Sequence, residues 1–111
     1  MKKNFYLLVL VIISIFGINL KAFAKSANDW MYEAKKVGLV MSTNTTRHFV
    51  YVDGYAWSQI PYEEKRGIVY MFADYMKTKA KDKGAFVDVK DYNSGEKYAI
   101  MSPLGYSKIY K

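Results

Sequence analysis

An uncharged apolar run near the N-terminus sets the first limit on what this chain can fold into. Phe5 to Leu20 carries no charged residue and consists mainly of Leu, Val, Ile and Phe, behind the positive pair Lys2 and Lys3. Gly17 and Asn19 loosen its end, and Ala22-Phe23-Ala24 places small residues at the two positions that a signal peptidase reads. The pattern predicts a secretory signal peptide over residues 1–24, cleaved between Ala24 and Lys25. Its 16 apolar-run positions fall short of the roughly 20 needed to span a bilayer. A retained anchor is the rival reading, and no stable membrane insertion is expected after cleavage. No cysteine follows the run, so a lipidated cysteine is excluded.

What remains, residues 25–111, suffices for one small domain. A chain of this size buries only about 60–65% of its surface on folding. Small exported domains often compensate with disulfides, and this sequence has no cysteine. Stability then rests on packing or on a partner. Ten of the 11 tyrosines follow Ala24, along with both tryptophans, and their large area suits a small core without covalent staples. Without Lys2, Lys3 and Lys21 the charge falls from +7 to about +4, which suits an anionic partner and is equally explained by solubility.

Periodicity predicts the elements. A short helix is expected over residues 26–37, capped by Ser26 or Asn28, with Trp30, Ala34 and Val37 on one face and Gly38 as its stop. Leu39 to Met41 reads as a short strand and residues 42–46 as a polar loop. Residues 48–53 read as an inner strand, because Phe49, Val50, Tyr51 and Val52 are apolar on both faces. Pro61 to Lys81 reads as the main helix. Its apolar stripe is Val69, Phe72, Ala73, Met76 and Ala80, and its wetter stripe is Arg66, Tyr70, Asp74 and Lys77. Residues 85–91 alternate, residues 92–95 carry turn chemistry, residues 97–101 return, and residues 106–110 supply an edge strand. The expected class is α+β. A short N-terminal helix precedes β-α-β-β, with one long amphipathic helix packed on a small, mainly antiparallel sheet.

Val50, Val52, Trp57, Lys65, Val87, Val89, Asp91, Ser94 and Gly95 form a layout of Val-x-Val, Trp, helical Lys and Val-x-Val-x-Asp-x-x-Ser-Gly. It is similar to that of small exported bacterial proteins of unknown role, and the likeness implies no activity.

No catalytic set stands out. His48, the single histidine, would have to serve any Ser-His-Asp triad with Asp53, Asp88 or Asp91, and no Gly-x-Ser-x-Gly elbow exists. A strand-start histidine beside Arg47 reads as a surface or edge residue. No metal site is expected: zinc spacing is absent, and Asp88, Asp91, Asn93, Ser94 and Glu96 do not match a calcium loop. Asp91 and Ser94 read instead as partners in the hairpin turn, and Glu63 and Glu64 as complements of a helix dipole. No Gly-rich phosphate loop is present, and no cofactor is expected. Lys77, Lys79, Lys81 and Lys83 spray around a helix end rather than lining a stripe, so nucleic acid is not an expected partner.

The tyrosines admit two readings: rings capping the core edge with wet hydroxyls, or a recognition surface. The leading expectation is a non-enzymatic exported binding protein. Its partner would be another envelope protein or an anionic envelope component, met through Tyr55, Trp57, Tyr62, Arg66 and Tyr70. The alternatives are an inhibitor or immunity-type protein acting on an envelope enzyme or toxin, a small hydrolase using His48, and a structural subunit that adds its edge strand to a neighbour.

Overall fold

In the computed structural model, residues 27–80 and 84–111 are described. The signal segment, the Ser26 cap, Lys81 and Lys83 lie outside the described residues. The elements are α1 (Ala27–Lys36), β1 (Val40–Asn44), β2 (Phe49–Val52), α2 (Gly54–Ser58), α3 (Tyr62–Ala80), β3 (Val87–Asp91), β4 (Lys97–Met101) and β5 (Ser107–Ile109). The strands form one sheet in sequence order, with β2 and β3 parallel and the other three pairings antiparallel. The parallel pair follows from the intervening α3, because two parallel strands need a long crossover.

Period-2 burial fixes the core face. Val50 and Val52, Val87, Val89 and Asp91, and Ala99 and Met101 all point inward. Against them α3 lays Val69, Phe72, Ala73 and Met76 of the expected stripe, with Ile68 beside them; the burial of Ala80 lies outside what is described. Full burial of each large apolar side chain contributes about 1.5–3 kcal/mol. α1 closes the same face, but through Ala27, Met31 and Ala34. Ala34 is buried as expected, whereas Trp30 and Val37 of the expected face are half-buried and Met31 takes the inner position beside Trp30.

Three further differences have local causes. Ser42, Thr43 and Asn44, expected in a loop, are strand. Their side chains are polar, yet they pair with Tyr51, Val50 and Phe49, and the register skips Met41 as a bulge, leaving that side chain exposed. Residues 54–58, which carried no expected element, form a helix of one and a half turns; the Asp53 carboxylate accepts the Ala56 N–H at 2.9 Å as its cap. His48 leaves the strand before Phe49, at φ 61°. It is no surface residue: it is 2% exposed, its ring stacks on Phe86 at 3.8 Å, and Nδ1–H donates to the Phe86 carbonyl at 2.9 Å. These contacts hold a conformation that non-glycine residues seldom adopt.

The largest correction concerns the tyrosines. Seven of them, Tyr32, Tyr55, Tyr62, Tyr70, Tyr92, Tyr106 and Tyr110, are 46–64% exposed. Among the described tyrosines only Tyr75 is buried, and the core is built mainly from Val, Ile, Leu, Met and Ala around Trp57 and Phe72. The tyrosine excess does not build the core.

Candidate functional site

Two clusters of chemistry-bearing residues emerge, and they differ in kind. The first is a buried hub joining α2, α3 and the β3–β4 hairpin. Asp91 ends β3 facing inward, and its carboxylate accepts the Ser94 N–H at 2.7 Å within the turn. Gly95 completes that turn at φ 79°, donating its N–H to the Asp91 carbonyl at 2.9 Å. Hydrogen bonds from Ser94, and secondarily from Tyr98 and Asn93, hold the Asp91 carboxyl below the usual carboxylate range, against the opposing effect of burial. Burial, reinforced by the Asp91 charge, pushes the Tyr98 phenol up.

Tyr98 is the extra residue where β4 slips register against β3, and its ring stacks on Trp57 at 6.4 Å. A bulge re-aims a side chain in this way. Gly54 lies against the same pair: a Cβ there would stand 2.7 Å from Asp91 Oδ1 and 2.8 Å from the Tyr98 hydroxyl. α3 adds Lys65, whose Nζ sits 5.5 Å from the Trp57 ring centroid and donates to the Lys111 backbone oxygen. Desolvation lowers the Lys65 pKa. The Trp57 indole N–H is buried with no acceptor among the described residues. Trp57, Lys65, Asp91 and Ser94, widely spaced in sequence, are thus one contact cluster. Gly54 and Tyr98, which lie outside the Val-x-Val layout, belong to it as well. Trp57, Lys65 and Asp91 are buried, Gly54 and Tyr98 half-buried and Ser94 exposed at the rim, and together they lock α2 and α3 to the hairpin.

The second cluster faces water. Tyr62, Arg66, Tyr70 and Asp74 recur every four residues on α3, all exposed. At 1.5 Å per residue the stripe runs about 18 Å. Its far end enters a groove of about 580 Å³ between α1, α3 and the turn after β4. Trp30 and Tyr70 wall this groove, Met71 and Met101 lie in its lining, and among the described residues Asp74 is the one charged lining residue.

Of the five residues expected to make contacts, Tyr62, Arg66 and Tyr70 share this stripe, and Tyr55 is exposed on α2. Trp57 is corrected: at 1% exposure it is a core residue and offers no surface to a partner. Trp30 and Asp74 were not singled out as contacts. Their signal was weak, a tryptophan beside the helix's buried stripe and a carboxylate on its wet face.

Among the described residues no cluster of three or more His, Asp or Glu could hold a metal ion, and no helix is long and apolar enough to cross a membrane. Comparison with protein-family models, curated proteins and solved structures finds no match for this chain. What defines it is therefore its own geometry: an α+β domain with one buried polar lock and one exposed aromatic helix face.

Proposed function

We propose that this is a small exported binding protein without catalytic activity, acting in the periplasm or outside the cell. Its partner is another envelope protein, met through the Tyr62–Arg66–Tyr70 stripe of α3. The observation that carries this reading is the exposure of seven tyrosines in a chain short of core-building area. A ring left in water forgoes the stabilisation that burial provides, and Tyr and Arg are the residue types that dominate interface hot spots. Export rests on the Lys2-Lys3, apolar-run and Ala22-Phe23-Ala24 pattern.

The test is affinity capture from the envelope fraction of the producing cell, followed by affinity measurement on the captured partner. Tyr62→Ala and Arg66→Ala are each expected to weaken binding about tenfold or more, the scale of a hot spot. Unchanged affinity in both, in proteins with wild-type melting temperatures, overturns the placement.

A further inference from the structure

We infer that the open face of the sheet, on the side away from α1 and α3, rests on a membrane surface bearing anionic phospholipid headgroups. The contact is peripheral and needs no inserted helix. It is carried by residues separate from the α3 stripe.

α1 and α3 pack their apolar residues against one side of the sheet. On the other side Phe49, Tyr51, Asp88, Lys90 and Ile100 are half-buried, and Lys97, Lys108 and Tyr110 are exposed. The pairing register makes the charged ones neighbours. Lys90 on β3 stands directly opposite Lys97 on β4, and Ile100 links Asp88 on one side to Lys108 on the other. Two contacts confirm the side on which the first two lysines lie. Lys90 Nζ is 4.0 Å from the Phe49 ring centroid, and Lys97 Nζ is 3.7 Å from Asp88 Oδ2. Three lysines therefore occupy three adjacent strands, a span of about 10 Å. Asp88 is the one acidic strand residue on this face. Glu96, next in the chain to Lys97, is matched by Lys111 at 2.7 Å.

This arrangement works against the fold. Like charges directly opposite on one sheet face are destabilising, and one carboxylate does not neutralise three ammonium groups. A local rule broken in this way points to a functional surface. Anions laid against the face turn the repulsion between Lys90 and Lys97 into shared attraction.

The aromatic residues decide which carrier of anions fits. A single-stranded polyanion is held by positive charge together with aromatic faces on which its rings stack. Here the Phe49 and Tyr110 rings already carry the ammonium groups of Lys90 and Lys108, at 4.0 and 5.2 Å. These rings hold lysines in place. The face thus presents ammonium point charges with Tyr51 and Ile100 among them. Lysine attracted to anionic headgroups, with aromatic and aliphatic side chains at the same level, is the chemistry of a membrane interface.

The test is sedimentation of the protein, as its producing cell makes it, with vesicles of equimolar phosphatidylglycerol and phosphatidylcholine and with vesicles of phosphatidylcholine alone. At about 0.1 M ionic strength the Debye length is about 10 Å, so charges on the helical side are largely screened from the sheet face. Binding at millimolar lipid is expected for the anionic vesicles only, weakening as salt is added. Lys90→Gln, Lys97→Gln and Lys108→Gln should each weaken it about fivefold, and the triple variant should abolish it. Asp88→Asn should strengthen it. The triple variant Lys35→Gln/Lys36→Gln/Lys77→Gln removes the same charge from exposed helix positions and should bind within about threefold of wild type. Melting curves of all variants should match wild type; if the sheet triple variant melts early, the single variants carry the comparison. Equal binding to both vesicle types, full binding by the sheet variants, or an equal loss in the helix variant overturns the inference. So does tighter binding to soluble alginate that the sheet variants lose, because the face then takes a polymer. Tyr62→Ala, which tests the stripe, should leave vesicle binding unchanged, so either surface can fail without the other.

Discussion

The hub and the stripe draw on the same residue types and put them to opposite uses. Around Asp91, a tyrosine, a tryptophan, a lysine and a carboxylate are folded onto one another, with the charges hydrogen-bonded inside the chain. Along α3, tyrosines, an arginine and a carboxylate stand in water. Residue type does not separate the two sets; burial and internal partners do. A polar group whose partners lie inside the fold stabilises the fold, whereas aromatic and charged groups left outward contribute little to stability and are available to a ligand.

Substitutions should therefore divide cleanly between stability and binding. The largest stability loss is expected at Trp57→Ala, which empties the centre of the hub and should cost about 3–5 kcal/mol in urea unfolding. Trp57→Phe should cost distinctly less, because it keeps most of the packing and removes an N–H that has no acceptor among the described residues.

Asp91→Ala comes next, at about 2–3 kcal/mol near neutral pH, since it strips the acceptor from the Ser94 N–H. This loss should depend on pH with a definite sign. The folded carboxyl titrates below its unfolded value, so its contribution is complete above about pH 4, the unfolded value. It disappears as pH falls through the lower folded value. Unfolding curves of wild type and Asp91→Ala should accordingly converge in acid. A difference that stays constant into strong acid would break the assignment of the hub's stability to this carboxylate.

Gly54→Ala follows at about 1–3 kcal/mol. The added methyl must displace the Asp91 carboxylate and the Tyr98 hydroxyl, both held by other contacts. The smallest effects on stability, within about 0.5 kcal/mol, belong to Tyr62→Ala, Arg66→Ala and Asp74→Asn. Melting curves should barely distinguish these three from wild type.

The same division governs what the sequence made legible. Val87 to Asp91 alternates cleanly, and Lys97 to Met101 falls where the turn residues place it. The α3 stripe was readable because the 3.6 period repeats over 19 residues. α1, with ten residues, left its buried stripe ambiguous by one position between Trp30 and Met31. Ser42 to Asn44 gave no strand signal, because their pairing is decided by β2 beyond the loop.

The hub was visible as scattered residues and became a cluster only in the fold, since nothing local says that β4 slips at Tyr98 and turns that ring toward Trp57. The tyrosines were illegible for a chemical reason. An apolar ring with a polar tip suits a core edge or a surface equally, and only tertiary packing decides. Trp57 was misplaced on the same ground.

The central claim is that the exposed α3 face, and not the buried hub, meets the partner. Its most direct measurement is the affinity of the captured partner for the double variant Tyr62→Ala/Tyr70→Ala beside Gly54→Ala, at a temperature where both are fully folded. The account predicts that the double variant melts like wild type and loses binding by about a hundredfold, while Gly54→Ala melts lower and binds normally. Normal binding by the double variant, with weakened binding by folded Gly54→Ala, would contradict it.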